Sequence, residues 1–305
     1  MRVQSLKYNI MTLTDLRYLV TLAELRHFAK AAAACFVSQP TLSIAIKKLE
    51  DELNLVLFER HRHDVLITPA AEPIIAQAKV VLHEADLLKQ MAQAQRDEFA
   101  QPLRLGAIFT VAPYVFPSLI PALHQSAPQL LLYLEENYTH VLSDKLANGE
   151  LDVILVAAPF ELPECQSADL WQEEFLLLMP QKHPWVSETH INSHLLADAP
   201  MLMLGEGHCF RNQSLATCPM NNARLNNGNS LETLRFMVAN GLGLTLIPAM
   251  SVPYLVNQSL SYKSLNPAPT RQIMAVWRRR FPRRQAIYAL IQGLKQLKLA
   301  GTQSL

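Results

Sequence analysis

The segment SQPTLSIAIKKLEDEL at residues 38–53 constrains the fold of this chain more than any other stretch. Four apolar residues recur in it at helical spacing, namely Leu42, Ile46, Leu49 and Leu53. This spacing predicts a helix with one buried stripe. Ser38 can cap its first turn, and Pro40 stands in that turn, where a missing N–H costs nothing. The helix must therefore pack on partners along one side while its polar N-terminus stays exposed.

Two helices are predicted before this one, over LTDLRYLVTLAEL at residues 13–25 and HFAKAAAACF at residues 27–36. The first has apolar residues that we expect to face inward: Leu16, Leu19, Val20, Ala23 and Leu25. Two short helices joined by a tight turn, the second of them polar at its N-terminus, are typical of a helix-turn-helix. Such a helix can place its first turn in the major groove of DNA.

The polar side of this third helix is predicted to contact DNA. Its first turns offer donors and acceptors to base edges, and two lysines further along can lie against phosphates. With two arginines from the hairpin that follows, the predicted contact set is Ser38, Gln39, Pro40, Thr41, Ser43, Lys47, Lys48, Arg60 and Arg62. The net charge of the chain is only +1, so any affinity for nucleic acid must come from such a local patch.

Two short β-prone pieces, LVLFER and DVLIT, flank a basic tip at residues 60–63. They predict a wing whose tip reaches the DNA backbone or minor groove. Three packed helices with a solvated hairpin are the alternative, but a wing directly behind a helix-turn-helix favours DNA binding. Residues 11–68 are therefore predicted to form a winged helix-turn-helix DNA-binding domain.

The length and composition of the chain describe a globular protein of more than one domain. With 305 residues, two or three domains are expected, and 50% of the residues are hydrophobic while 17% are charged. The N-terminus lacks the apolar stretch of a signal peptide, and no run approaches the roughly 20 residues that span a bilayer. We therefore expect a cytoplasmic location, no membrane partner and reduced thiols. Met11 begins a stretch typical of a natural start, which leaves open whether residues 1–10 are native.

Residues 69–101 are predicted to form a linker that joins two copies of the chain. Within it, apolar residues repeat every seven positions in two interleaved columns, which are Ile74, Val81 and Leu88, and Ala78, Ala85 and Ala92. Such columns match the a and d positions of a coiled coil. An amphipathic helix lying on its own domain is the alternative. Because the chain restarts as a strand at QPLRLG, this helix has no obvious partner within the chain, and a dimerising linker is favoured.

From residue 102 to residue 305, apolar strands alternate with helices. The strands LRLGAIF, QLLLYLEE and LDVILVAA have helices between them around residues 115–126 and 139–148, and the series continues to LTLIPAM. This order predicts an α/β effector domain with a mixed or largely parallel sheet, divided into two lobes. In such folds the ligand site lies beyond the carboxyl ends of the strands, where Thr110 follows the first strand.

Two of the four cysteines of the chain stand close together in GEGHCFRNQSLATC at residues 205–218. Peroxide attack requires a thiolate, and an imidazole, a guanidinium or a helix N-terminus nearby favours that form. His208 precedes Cys209 directly, and Arg211 follows it by two residues. A buried inert thiol is the alternative, which the polar flanks disfavour. Cys35 and Cys165 are interpreted as thiols without a role, and no Cys/His spacing indicates a metal site.

The N-terminal segment FAKAAAACFVSQPTLSIAIKKLEDELNLVLFERHRHDVLITPAA resembles the signature of LysR-type transcriptional regulators. The resemblance departs at Ala71-Glu72-Pro73, where that family usually has a glycine after the wing. It implies a winged helix-turn-helix, a long linker helix and a two-lobed effector domain similar to periplasmic binding proteins.

Within that family, GHCFRNQ followed by Cys218 resembles the peroxide-sensing OxyR branch, as do residues 110–114, 138–140 and 183–185 and the run SLETLR. The resemblance implies that Cys209 is oxidised to a sulfenic acid and condenses with Cys218 to a disulfide. It also implies a peroxide pocket formed by Thr110, Thr139, His208 and Arg278. Residues 218–230 form a shorter and more Asn-rich segment than is usual in that branch.

The predicted function is transcription regulation by peroxide sensing, without enzymatic activity and without a cofactor. The predicted partners are double-stranded DNA, further copies of the chain in a dimer or tetramer, hydrogen peroxide, a cellular thiol reductant and, as an open point, RNA polymerase. The alternative is a LysR-type regulator that binds a small metabolite between the lobes, with incidental cysteines. A thiol peroxidase is a second rival, but an enzyme has no use for a helix-turn-helix with a wing. The operator sequence, and activation against repression, stay open.

A dense basic run, RRRFPRRQ, stands at residues 278–285. This run has two interpretations. It can form a second contact to nucleic acid, or it can be a solvated surface with Arg278 turned inward. The solvated surface is the favoured interpretation.

Overall fold

The computed structural model describes residues 11–60, 65–94, 97–217, 227–255 and 259–305. The chain divides into two compact units, which meet in the sequence between Ala92 and Gln93. Among the described residues, no single helix has the length and hydropathy needed to cross a membrane, and one bent pair of helices passes that test on length and composition alone.

The N-terminal unit is a winged helix-turn-helix, as predicted. Its helices and strands are α1 (Leu13–Leu25), α2 (Phe28–Ala34), α3 (Gln39–Leu53), β1 (Phe58–Arg60) and β2 (Val65–Ile67). Ser38 caps α3, since its Oγ accepts a hydrogen bond from the backbone N–H of Thr41 at 3.3 Å. This cap fixes the residue at which the third helix begins.

The predicted stripe of α3 forms part of the core of this unit. Leu42, Ile46 and Leu49 are each at most 2% exposed. For α1 the prediction is wrong at one position, because Leu25 is 43% exposed and Leu22 is fully buried. Leu25 follows Leu16 by about two and a half helical turns, so the two side chains point to opposite sides of the helix.

The wing is an antiparallel hairpin in which Phe58 pairs with Ile67 and Arg60 with Val65. Its base is tied to α3 by Glu50, whose Oε1 accepts hydrogen bonds from the backbone N–H groups of Leu57 and Phe58 at 2.8 and 3.2 Å. The predicted tip residue Arg62 lies outside the described residues.

A long helix, α4 (Ala71–Ala94), follows the wing. The expectation that this helix lacks a partner within the chain is wrong for its first turns, because Ala71, Ile75 and Ala78 are buried in the core of the N-terminal unit. Further along, the predicted heptad residues Val81 and Leu88 are 36% and 69% exposed. Beyond its first turns, the helix therefore carries apolar side chains that the described part of the N-terminal unit leaves uncovered.

The effector unit is a mixed α/β structure, as predicted. Its first part contains β3 (Leu103–Ile108), α5 (Ala112–Ser126), β4 (Leu132–Asn137), α6 (Thr139–Ala147), β5 (Val153–Ala157), β6 (Cys165–Pro180), β7 (Ile191–Asn192) and β8 (Met203–Leu204). Its second part contains α7 (Cys209–Thr217), β9 (Asn227–Gly228), α8 (Leu231–Ala239), β10 (Thr245–Pro248), β11 (Leu260–Asn266), β12 (Thr270–Arg278), α9 (Arg284–Gln296) and β13 (Thr302–Ser304). Short 3-10 helices lie at Pro184–Ser187, Ser193–Asp198 and Ala249–Tyr254.

The long strand β6 belongs to both lobes of this unit. Its first ten residues pair with β12, and its last six pair with β10 and β11. In the first lobe β3 lies parallel to β4 and β5, and β12 lies antiparallel to β5. The strand β6 passes from the first lobe to the second at Glu173 and Glu174, which pair with Arg271 and Thr270 of β12.

Truncation of a core residue of α3 tests this account of the N-terminal unit. Leu42→Ala is expected to lower the free energy of unfolding of that unit by about 2–5 kcal/mol, because it empties a fully buried site. Ile44→Ala, in the same helix but at a site 69% exposed, is expected to change it by at most about 0.5 kcal/mol. Urea denaturation followed by circular dichroism measures both. Equal losses in the two variants would contradict the assigned faces of the helix.

Candidate functional site

A small cavity lies at the carboxyl ends of β3 and β4, where the sequence predicts a ligand site. Its lining comes from the residues after these two strands and from the start of α7, namely Ile108, Phe109, Thr110, Asn137, Tyr138, Thr139, Gly207, His208 and Cys209. The free volume is about 10 Å³. That is on the order of the space that one water molecule needs. The structure thus brings together three of the four residues predicted for a peroxide pocket with the predicted reactive cysteine.

Cys209 is the first residue of α7 and is half-buried. Anions are stabilised at a helix N-terminus, where backbone N–H groups lack partners within the helix. The two other cysteines that the structure describes, Cys35 and Cys165, are not among the residues that line this cavity, and burial raises the pKa of the Cys165 thiol. Cys218, the predicted second partner, lies outside the described residues.

The turn before Cys209 depends on a glycine. Gly207 has a φ of +91°, and a Cβ atom at this position would lie 3.2 Å from the ring of Tyr138. A residue with a side chain would therefore meet backbone strain and a tight contact with that ring. The close passage lets the Tyr138 ring pack edge-on against the imidazole of His208, with ring centroids 4.9 Å apart.

His208 is held as a neutral imidazole. It is 5% exposed, and burial lowers its pKa from the usual 6.5, although a hydrogen bond to the backbone of Asn229 acts in the opposite direction. The Nε2 atom has no hydrogen-bond partner among the described residues, so the bond to Asn229 uses Nδ1. In this tautomer Nε2 is a hydrogen-bond acceptor. His208 therefore offers a lone pair to the cavity rather than a positive charge to Cys209.

A second polar atom of the cavity wall also lacks a partner. The hydroxyl oxygen of Thr139 is buried and makes no hydrogen bond within the part of the chain that the structure describes. Buried polar atoms in native proteins are nearly always paired with protein or with a bound molecule. Two such atoms beside one thiol indicate a site for a small molecule that both donates and accepts hydrogen bonds.

The third polar wall residue, Thr110, is held by an arginine that the sequence analysis missed. Arg271 donates from Nη1 to the hydroxyl oxygen of Thr110 at 2.8 Å and from Nη2 to its carbonyl oxygen at 2.9 Å. Because the hydroxyl accepts from Arg271, its own proton is free to be donated towards the cavity.

Arg271 is itself fixed by a buried carboxylate. Its Nη2 lies 2.7 Å from Oε1 of Glu173, and neither side chain is exposed to solvent. The second oxygen of Glu173 accepts the backbone N–H of Met250 at 3.0 Å. The guanidinium also lies over the ring of Phe210, the residue after Cys209, at 5.0 Å. The sequence did contain a signal for this residue, namely a single arginine in the apolar strand TRQIMAVW. Because a buried cation requires a partner, that arginine could have been predicted to form a buried ion pair.

The prediction that Arg278 enters the peroxide pocket is wrong. Arg278 follows Arg271 by seven residues on β12, which is about 23 Å along a strand. Its Nη1 donates to the carbonyl oxygens of Leu146 and Leu151 at 2.5 and 2.6 Å, and its Nη2 lies 3.6 Å from Asp152. Arg278 is turned inward, as the favoured interpretation of the basic run expects, but towards the opposite end of the strand from Thr110.

Arg211, which follows Cys209 by two residues, donates from Nη1 to the carbonyl oxygen of Leu204 at 2.9 Å. This bond ties α7 to β8 and so holds the start of the helix in place. Cys218, the predicted disulfide partner of Cys209, follows α7 directly in the sequence.

The residues predicted to contact DNA lie mainly on the surface of the N-terminal unit. Those with exposed side chains are Ser38, Gln39, Pro40, Thr41, Lys47 and Lys48. Ser43 is half-buried, Arg60 ends β1, and Arg62 is outside the described residues. The start of α3 and its lysines thus form one accessible face.

Comparisons with known proteins agree with both units. Residues 13–72 match the family model described as bacterial regulatory helix-turn-helix protein, lysR family, and residues 96–298 match the LysR substrate binding domain. The DNA-binding transcriptional dual regulator OxyR of Escherichia coli K12 is 41% identical over 290 residues, which is 93% of this chain and 95% of that protein.

Two solved structures extend the comparison to the fold. Full-length OxyR of Pseudomonas aeruginosa, in a cysteine-to-aspartate variant, is 45% identical with a TM-score of 0.79, covering 97% of this chain and 99% of that one. A cysteine-to-serine variant of OxyR from Corynebacterium glutamicum with hydrogen peroxide bound is 30% identical with a TM-score of 0.63, covering 95% and 93%.

Removal of the buried arginine tests the support of the cavity. Arg271→Ala is expected to lower the free energy of unfolding of the effector unit by about 3–5 kcal/mol, because Glu173 is left buried without its counter-charge. Arg280→Ala, at an exposed site nine residues further along, is the matched control and is expected to cost at most about 0.5 kcal/mol. Denaturant titration of both variants checks this. A loss of the same small size for Arg271→Ala would mean that the ion pair does not support the unit.

Proposed function

The chain belongs to the LysR family of bacterial transcription regulators, and we propose that it senses hydrogen peroxide by oxidation of Cys209 and formation of a disulfide with Cys218. One observation carries this proposal. Cys209 lines a cavity with the volume of about one small molecule, and the wall of that cavity contains two buried polar atoms without partners, Thr139 Oγ1 and His208 Nε2. A metabolite would not fit a space of about 10 Å³, which disfavours the alternative of metabolite sensing at this site.

The wall groups match the hydrogen-bonding pattern of hydrogen peroxide. Each peroxide oxygen can donate one proton and accept another. Thr110 can donate its hydroxyl proton, His208 Nε2 can accept, and the Thr139 hydroxyl can do either. The relative from Corynebacterium glutamicum was solved with hydrogen peroxide bound, which supports a peroxide site in this branch of the family.

The first step of the proposed reaction is attack of the Cys209 thiolate on one peroxide oxygen. The S–O bond forms while the O–O bond breaks, so the sulfur is oxidised by two electrons and becomes a sulfenic acid. His208 Nε2 can accept the proton that the thiol loses. The leaving hydroxide then takes up this proton. The step releases one water molecule and uses no group other than those of the cavity wall.

The second step is attack of the Cys218 thiolate on the sulfenic sulfur. A disulfide forms, and hydroxide leaves and is protonated to a second water. The two thiols and one peroxide are thus converted to one disulfide and two waters. A cellular thiol reductant would reverse the process by exchange in the cytoplasm, where thiols are kept reduced.

Disulfide formation is incompatible with the helix that follows Cys209. Cys209 begins α7 and Thr217 ends it, so their Cα atoms are separated by about 12 Å. A disulfide requires Cα atoms within about 7 Å, and the single peptide unit from Thr217 to the next residue spans only about 3.8 Å. We infer that α7 unwinds when the bond forms. Oxidation therefore converts α7, which is held on β8 in the reduced protein, to a different conformation. This conformational change is the proposed switch.

The DNA-binding side of the function depends on the accessible face of α3 and on the wing. A single unit of this size reads a short half-site, and regulators of this type read two half-sites as dimers. We propose that the uncovered apolar residues of α4, which include Val81, Leu88 and Met91, form the dimer contact. The proposal extends to pairing of dimers into tetramers and to contact with RNA polymerase.

Substitution of the reactive cysteine tests the proposal directly. In the wild type, brief peroxide treatment is expected to link the peptides that contain Cys209 and Cys218, as detected by mass spectrometry without reduction. Cys209→Ser is expected to abolish both the linked peptide and any peroxide-dependent change in DNA binding. Cys165→Ser, which removes a thiol away from the cavity, is expected to behave as the wild type. A peroxide response retained in Cys209→Ser would overturn the mechanism.

The role of the unpartnered hydroxyl is tested by Thr139→Val, which keeps the side-chain shape. The second-order rate constant for oxidation of Cys209 is expected to fall about tenfold or more, which corresponds to the loss of roughly 1.5 kcal/mol from one hydrogen bond to peroxide. Thr302→Val, at a site on β13 outside the cavity wall, serves as the control. Stopped-flow quenching of the remaining thiol gives both rate constants. An unchanged rate in Thr139→Val would exclude the hydroxyl from the peroxide site.

A further inference from the structure

A second and much larger cavity lies on the outer face of the first lobe. It is a groove between the end of β12 and α9, with a volume of about 380 Å³. Its lining consists of Gln166, Trp277, Arg279, Phe281, Arg284, Ile287, Tyr288 and Ile291. Pockets of about 300–1,000 Å³ are typical of small-molecule sites. The groove includes three residues of the basic run at residues 278–285, namely Arg279, Phe281 and Arg284, to which the regulatory mechanism assigns no role.

The floor of the groove is apolar and its wall is aromatic. Phe281, Ile287 and Ile291 are at most 8% exposed and form the bottom. Trp277 lies at the β12 side, and Tyr288, which is 67% exposed, stands on the α9 side. The two aromatic side chains that line the groove offer ring surface on which a planar apolar group can pack.

Two cations stand at the rim of this apolar floor. The side chains of Arg279 and Arg284 are exposed, and neither makes an ion pair or a hydrogen bond within the part of the chain that the structure describes. Other arginines of the same region are occupied, since Arg278 donates to backbone carbonyls and Arg283 does the same. The positive charges of Arg279 and Arg284 are therefore not paired with neighbouring carboxylates and can attract an anion.

We propose that this groove binds a small amphipathic anion, namely a planar apolar body that carries one carboxylate or sulfonate group. The planar body would lie between Trp277 and Tyr288 on the apolar floor. Its anionic group would pair with Arg284, which stands one helical turn before Tyr288 on the same side of α9. The proposal does not depend on peroxide sensing, because the groove and the Cys209 cavity share no lining residue.

The position of the groove links it to the point at which the chain enters the effector unit. Arg283, next to Arg284, is 6% exposed and donates hydrogen bonds to the carbonyl oxygens of Glu98 at 2.6 Å, of Pro102 at 3.2 Å and of Gln101. The backbone N–H of Gln285 also donates to a carboxylate oxygen of Glu98 at 2.6 Å. An occupant of the groove would therefore lie against the helix whose first turn holds this entry segment.

Binding of a defined pair of probes to the full-length reduced protein tests the proposal. The probes are 2-naphthoate and its neutral counterpart 2-naphthalenemethanol, measured by equilibrium dialysis. The anion is expected to bind saturably, and at least tenfold more tightly than the neutral compound. Arg284→Gln and Tyr288→Ala are each expected to weaken binding of the anion at least tenfold. Arg280→Gln, an exposed arginine outside the groove lining, is expected to leave it unchanged.

Further arms of the experiment decide what each outcome means. Cys209→Ser is expected to bind 2-naphthoate as the wild type does, so failure of the redox mechanism and failure of this proposal are distinguishable. Equal affinities for the two probes, absence of saturable binding at millimolar concentration, or insensitivity to Arg284→Gln would each overturn the proposal. Loss of DNA affinity in Arg284→Gln without loss of 2-naphthoate binding would also overturn it and would assign the arginines to nucleic acid. Circular dichroism of every variant, with Tyr288→Phe as the conservative partner of Tyr288→Ala, separates binding losses from unfolding.

Discussion

The buried pair of Arg271 and Glu173 is the interaction on which the effector unit depends. It stands where β6 and β12 pass from one lobe to the other, and each charge is removed from solvent. Two charges in such a place are costly unless each is fully hydrogen-bonded. Arg271 meets this requirement through Thr110 and Glu173, and Glu173 meets it through the backbone of Met250. A requirement of folding thereby sets the orientation of the Thr110 hydroxyl in the cavity beside Cys209.

Much of the fold could be predicted because its signals are local. The stripe and cap of α3, the order of strands and helices after residue 102, and the position of Thr110 behind β3 all follow from periodicity and chain direction. Only those site residues that stand in recognisable short motifs could be predicted. Thr110, Thr139, His208 and Cys209 were therefore grouped, whereas Arg271 was missed. Arg271 and Arg278 stand on the same strand. Only the register between β12 and β6, which joins residues far apart in the sequence, distinguishes the two arginines.

The start of α7 combines two demands that oppose each other. The helix presents Cys209 at its N-terminus beside the cavity, which suits the first step of the proposed reaction. The helix rises about 12 Å from Cys209 to Thr217, and one further peptide unit does not bring Cys218 within disulfide range, so the second proposed step requires the helix to unwind. Arg211 and Gln213 hold it to the carbonyl oxygens of Leu204 and Ala158. These bonds set part of the free-energy difference between the two arrangements of the segment.

If Cys209 reacts as proposed, the small volume of the cavity beside it bears on which oxidants the thiol meets. The ring of Tyr138 and the turn at Gly207 line this space of about 10 Å³. An alkyl or lipid hydroperoxide carries a carbon skeleton that such a space excludes, however reactive its O–O bond is. Selectivity among peroxides would then arise from steric exclusion at the wall and not from differences in oxidising strength.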